Sequence, residues 1–158
     1  MKTILCNKSM ISLLLSCRNK KNALSANLAS VLHDGMIFKG GCLFLKNLYE
    51  ANKQHVNRNH FDDLTGVESF INGFIINDFC SDNYLKNSLL FIDGVSNVIN
   101  ESFCHIPTEI VLCKSYRYYH FMMHTIRATE CPYLENDLES YIEPTIVVRL
   151  IPTRTNVQ

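Results

Sequence analysis

The chain has 158 residues, 47% of them hydrophobic and 19% charged, and its 15 Lys plus Arg balance its 15 Asp plus Glu. That length fits a single domain, residues 1–158, with enough apolar side chains for one core, and the composition excludes a disordered chain. A net charge of zero leaves no electrostatic footprint for nucleic acid or for an anionic membrane surface.

Taken in chain order, the first stretch is "MKTILCNKSMISLLLSC". Lys2 and Lys8, a short apolar run and Leu14-Leu15-Ser16-Cys17 resemble a bacterial lipoprotein signal, while Met10, Leu13, Leu14 and Cys17 also form the buried stripe of a first helix. Both readings stay open. Asn7 and Lys8 interrupt the run, so it falls short of the roughly 20 apolar residues that span a membrane. Lys2, Lys8, Arg18, Lys20, Lys21, Lys39, Lys46, Lys53 and Arg58 tilt the first third towards positive charge. No aromatic residues interleave them for base stacking, so they read as a solvated face.

Leu24, Leu28, Val31 and Leu32 recur at helical spacing up to Gly35, a helix stop. Gly40-Gly41 then precedes Cys42. Leu45, Leu48 and Tyr49 behind it predict a helix opening at Cys42. "HVNRNHFDD" is a polar loop; a nuclease-like reading of it would need a hairpin and a helix around the histidines. Thr65 with Glu68 has the form of a capping box ahead of Phe70, Ile71, Phe74 and Ile75. Residues 82–103 predict either one helix broken near Gly94 or two shorter ones.

Beyond Pro107 the periodicity changes to that of strands. Residues 108–114 alternate Ile110 and Leu112 against Val111 and Cys113. Residues 116–126 place His120, Met122, His124 and Ile126 on one face, with Tyr119, Phe121, Met123 and Thr125 on the other. "TIVVRLIP" predicts a last strand stopped by Pro152. The fold class is α+β, with N-terminal helices packed on a small C-terminal antiparallel sheet. The predicted core contains Leu14, Leu28, Leu32, Leu45, Leu48, Phe70, Phe74, Leu89, Ile110, Leu112, Phe121 and Ile146.

Seven cysteines, scattered and odd in number, argue for free thiols in a reducing compartment and hence for a cytoplasmic protein. None stands in a Cys-x-x-Cys pair, and His120 with His124 lacks an identifiable third ligand, so neither a metal nor another cofactor is expected. A cysteine at a helix N-terminus would have its thiolate favoured by the helix dipole, and a strand histidine followed by a carboxylate supplies a base and its orienting group. Cys42, His120 and Asp137 stand in that order. In this respect the chain resembles the papain-like cysteine proteases and the related deamidases. The resemblance implies a cysteine-dependent hydrolase or deamidase acting on a protein, with Cys42 as nucleophile, His120 as base and Asp137 (or Asn136 beside it) orienting the imidazole. The other reading is a non-catalytic protein-interaction or regulatory module in which Cys42 is one more buried thiol and Tyr116, Tyr118, Tyr119 and Phe121 form an aromatic strand face. The two separate on geometry: the enzyme requires the Cys42 sulfur within about 4 Å of an imidazole nitrogen.

Overall fold

The β-branched and aromatic alternation after Pro107 becomes three long antiparallel strands. The computed structural model describes residues 1–17 and 23–152, so Arg18, Lys20 and Lys21 of the basic stretch lie outside the described residues. In chain order its elements are β1 (Lys2–Cys6), α1 (Lys8–Ser16), α2 (Ala26–Asp34), β2 (Met36–Lys39), β3 (Cys42–Leu45), α3 (Lys46–Asn52), α4 (Leu64–Asn72), β4 (Phe74–Ile75), α5 (Tyr84–Ser102), β5 (Thr108–Ser115), β6 (Tyr118–Thr125) and β7 (Thr145–Leu150). Five strands form one antiparallel sheet in the order β1-β7-β5-β6-β4, and β2 and β3 form a separate hairpin. The class is α+β, with the helices mostly N-terminal and the sheet built mainly from the C-terminal third.

Alternation assigns the two faces of the sheet. Ile110, Leu112, Tyr119, Phe121, Met123, Ile146, Val148 and Leu150 face the main core, where they meet Met10 of α1, Leu28 and Val31 of α2, and Phe91, Ile92, Val95 and Ile99 of α5. Phe74, Phe91 and Phe121 pack with ring centroids 5.0–5.5 Å apart. α5 is one continuous helix, unbroken at Gly94. A Cβ on Gly94 would lie 2.4 Å from Leu32, so the glycine is there to let α2 and α5 approach. Among the described residues, no helix is long and apolar enough to cross a membrane.

Five local expectations change. Phe74 and Ile75, expected to continue the α4 helix, form strand β4 beyond the Gly73 C-cap. Residues 2–6 form the edge strand β1, paired with β7. Cys42 lies on a strand and not at a helix start: Gly40-Gly41 is the two-residue turn of the β2–β3 hairpin, with φ of 60° and 80°. Such turns demand positive φ at both central residues, which Gly-Gly meets without strain. The Thr65/Glu68 capping box does not form; Asp63 is the N-cap of α4 and accepts from the Gly66 amide at 2.7 Å. Phe70 is 53% exposed and not in the core, because α4 turns Glu68, Asn72, Val67 and Ile71 inward and leaves Phe70 on its outer side against Phe61.

Candidate binding site on the second face of the sheet

Cys42 is fully buried and packs with Phe44, Val67 and Ile71 in a small cluster between β3 and α4. Its polar neighbour is Arg127, whose Nη2 is 3.7 Å from the sulfur. Burial, followed by the Glu68 carboxylate, pushes the thiol up to about 11, so the thiolate is scarce at neutral pH. Leu43 and Thr125 both donate backbone N–H groups to Glu68, which places the start of β3 at the far end of β6. His120 lies five residues before Thr125, roughly 17 Å along a strand. Asp137 is exposed and caps a short 3-10 turn, Leu138–Ser140, by accepting from the Glu139 amide at 3.0 Å. The three residues named from the sequence therefore sit in three different environments. Brief iodoacetamide treatment of the native protein is expected to modify the exposed Cys17, Cys104 and Cys131 and to spare Cys42 until the chain unfolds. Peptide mapping reads this directly, and rapid labelling of Cys42 would return it to candidacy as a nucleophile.

His120 belongs to a different site. On the sheet face opposite the main core, β5 presents Glu109, Val111 and Cys113, β6 presents His120, Met122 and His124, and β7 presents Thr145 and Arg149. The segment from 126 to 144 passes over this face and encloses two cavities against it. The larger, about 680 Å³, has a floor of Val111, Cys113, His120 and Met122 and walls from Ile75, Tyr133, Leu134, Tyr141 and Glu143. His120 and Cys113 are cross-strand partners there. Burial and the neighbouring Glu143 push the Cys113 thiol up, so it acts as a small apolar group with a weak donor. The smaller cavity, about 430 Å³, is bordered by Glu109, His124, Arg127, Glu130 and Arg149. The ring centroid of His124 is 5.5 Å from that of Tyr133, which lines the larger one.

Polar side chains hold this arrangement in place. Glu68, with no exposed surface, accepts from Leu43 N, Thr125 N, Thr125 Oγ1 and Arg127 Nη1. Glu130 accepts from Leu64 N, Thr65 N and Thr65 Oγ1 at the start of α4, anchoring the covering segment at one end. Asn7 anchors the other end: its amide donates to Leu138 O, Tyr141 O and Glu143 O, and its Oδ1 accepts from Met10 N and Thr145 N. The sequence patterns singled out none of Glu109, Arg127 and Arg149, and they gave Glu68 a capping role that Asp63 holds instead. The available signal was a lone charge inside an apolar strand, Glu109 in "TEIVLC" and Arg149 in "TIVVRL", because an isolated buried charge must find a partner.

A family model described as the uncharacterized protein PM0498 family matches residues 5–157. The chain belongs to that family. No curated protein and no solved structure matches it. The matched span begins near the end of β1 and takes in both cavities and the segment that covers them.

Proposed function

We propose that this protein is a non-catalytic protein-interaction module whose partner inserts a large apolar side chain into the cavity over the second sheet face. The observation that carries this reading is the cavity itself. Its volume of about 680 Å³ is within the range of specific ligand sites, and its walls are mainly aromatic and aliphatic. Exposed apolar residues surround it. Ile142, 88% exposed, stands between the lining residues Tyr141 and Glu143, and Tyr118 lies two positions before His120 on the same strand face. Aromatic side chains around an apolar pocket are the usual composition of a protein interface core. The burial and raised pKa of Cys42 support this reading over the cysteine hydrolase or deamidase. Balanced charge favours a protein over a nucleic acid as partner, and the free cysteines favour the cytoplasm.

Selection of a random peptide library on the immobilised protein tests the proposal, with Met122→Trp as the counter-target. Met122 is half-buried on the cavity floor, so an indole there fills the space without entering the main core. Enriched peptides are expected to share one aromatic or large aliphatic anchor and to bind Met122→Trp at least roughly tenfold more weakly, the equivalent of ~1.4 kcal/mol. Peptides that bind both proteins alike, or no enrichment at all, would remove the cavity as the docking site.

A further inference from the structure

The β5–β6 hairpin turns on a residue that its backbone does not suit. Ser115 pairs with Tyr118, so the loop has two residues, Tyr116 and Arg117. Tyr116 has a φ of 52°, and Arg117 does not share the positive sign. A positive φ at the first loop residue alone is the pattern of a type II′ turn. That position belongs to glycine, because a Cβ there crowds the backbone. Among the described residues one other non-glycine has a positive φ, Asn83, and asparagine tolerates that region where a bulky side chain does not.

The surroundings hold the strained turn in place. Lys114 Nζ donates to Tyr116 O. Asn77 lies in the 3-10 turn Ile76–Asp78, which follows β4. Its Nδ2 donates to Arg117 O at 3.0 Å, and its Oδ1 accepts from Tyr119 N at 2.9 Å. Strained backbone persists where its neighbours over-determine it, and it collects at ligand clamps and binding sites. Packing within the chain does not offset the strain here. The Tyr116 side chain is 91% exposed and belongs to neither hydrophobic cluster, whereas Tyr119 and Phe121 are in the main core.

The turn adjoins the larger cavity. Ser115, immediately before it, lines that cavity, as does His120 on the other strand. Tyr118 lies between, with the Arg117 guanidinium 5.2 Å over its ring. The clamped turn presents the Tyr116 ring with little ordering left to do on binding, and a tyrosine supplies large contact area at the cost of two torsions. Building on the interaction reading of the larger cavity, we propose that Tyr116 is a second, preformed anchor for the same protein partner. Its ring enters an apolar slot between partner side chains while the partner's own anchor fills the cavity.

Two variants of the full-length protein separate the backbone from the ring. Tyr116→Ala removes the ring and keeps the Cβ; Tyr116→Gly removes both. Urea unfolding is expected to place the Gly midpoint above the Ala midpoint at equal slope, despite the greater freedom glycine gives the unfolded chain. Peptides selected on the wild type and weakened by Met122→Trp are expected to bind both variants at least roughly tenfold more weakly and to bind Tyr116→Phe unchanged. An Ala midpoint equal to or above the Gly midpoint overturns the strained turn. Peptides that bind Tyr116→Ala as they bind wild type overturn the anchor. A dimer in solution that Tyr116→Ala dissolves gives the ring to a second copy and overturns the shared partner. Loss at Met122→Trp without loss at Tyr116→Ala sinks this proposal and leaves the cavity reading intact. A selection that enriches nothing removes the cavity and, with it, the anchor that rests on it.

Discussion

Glu68→Ala is expected to destabilise the fold by about 3–5 kcal/mol, the range seen when one member of a buried ion pair is removed. Glu68 is fully buried and gathers donors from three elements: Leu43 N of β3, Thr125 N and Oγ1 of β6, and Arg127 Nη1 of the covering segment. Its removal leaves those donors without an acceptor and leaves the Arg127 guanidinium with Glu130 as its remaining carboxylate, at 3.5 Å. Glu68→Gln keeps the shape and one acceptor oxygen but turns an NH2 group towards donors already present, so it should also be destabilising, by less than the alanine. Urea unfolding measures both. A lowered midpoint with an unchanged slope is the expected form, since the loss is of native-state bonds and not of buried area. A Glu68→Ala protein within about 1 kcal/mol of wild type would show that the four contacts are not maintained in solution.

Asn7→Ala is the second large effect, expected at about 2–4 kcal/mol, because the side chain is both a helix cap and a clamp. Oδ1 caps α1 through Met10 N at 3.0 Å and also accepts from Thr145 N at 3.0 Å. Nδ2 donates to three carbonyls of the covering segment, with Tyr141 O at 3.1 Å and Glu143 O at 2.9 Å the closest. Asn7→Asp separates the two roles. It retains the acceptor and therefore the cap, but it presents a carboxylate to the carbonyls that Nδ2 had satisfied. The expected result is an intact α1 with faster amide hydrogen exchange at Ser140 and Tyr141, whose own bonds to Asp137 O and Leu138 O hold the short turn of the segment. Equal exchange in wild type and Asn7→Asp would mean that the segment is held by other contacts. The same variant bears on function, since Tyr141 and Glu143 wall the larger cavity and a loosened cover should weaken the selected peptides.

The mistaken helix start at Cys42 has an instructive cause. "CLFL" is a continuous apolar run of four residues, and periodicity cannot tell a fully buried strand from the start of a buried helix. In the fold β3 is buried on both sides: Leu43 and Leu45 face the main core, and Cys42 and Phe44 face α4. The glycine pair before it was the better guide, because two glycines between short apolar runs mark a hairpin turn. Glu68 was misplaced for a similar reason. Its spacing from Thr65 suits a capping box, yet Asp63 takes the cap and the burial of α4 against β3 and β6 turns Glu68 inward.

Local sequence by itself determined the strand pair after Pro107, the terminal strand, the helical character of α2, α4 and α5 and the two faces of β6, because side-chain alternation and helical spacing are properties of neighbours in the chain. Only the tertiary structure decided which residues meet. Glu109 faces His124 and Arg149 because β5 lies between β6 and β7, an ordering that no local pattern encodes. Cys42 is separated from His120 because Glu68 binds Leu43 and Thr125 together, fixing β3 against the opposite end of β6. Long-range hydrogen bonds and strand order set these distances, and the two cavities exist because the 126–144 segment folds back over a sheet whose outer face was already specified.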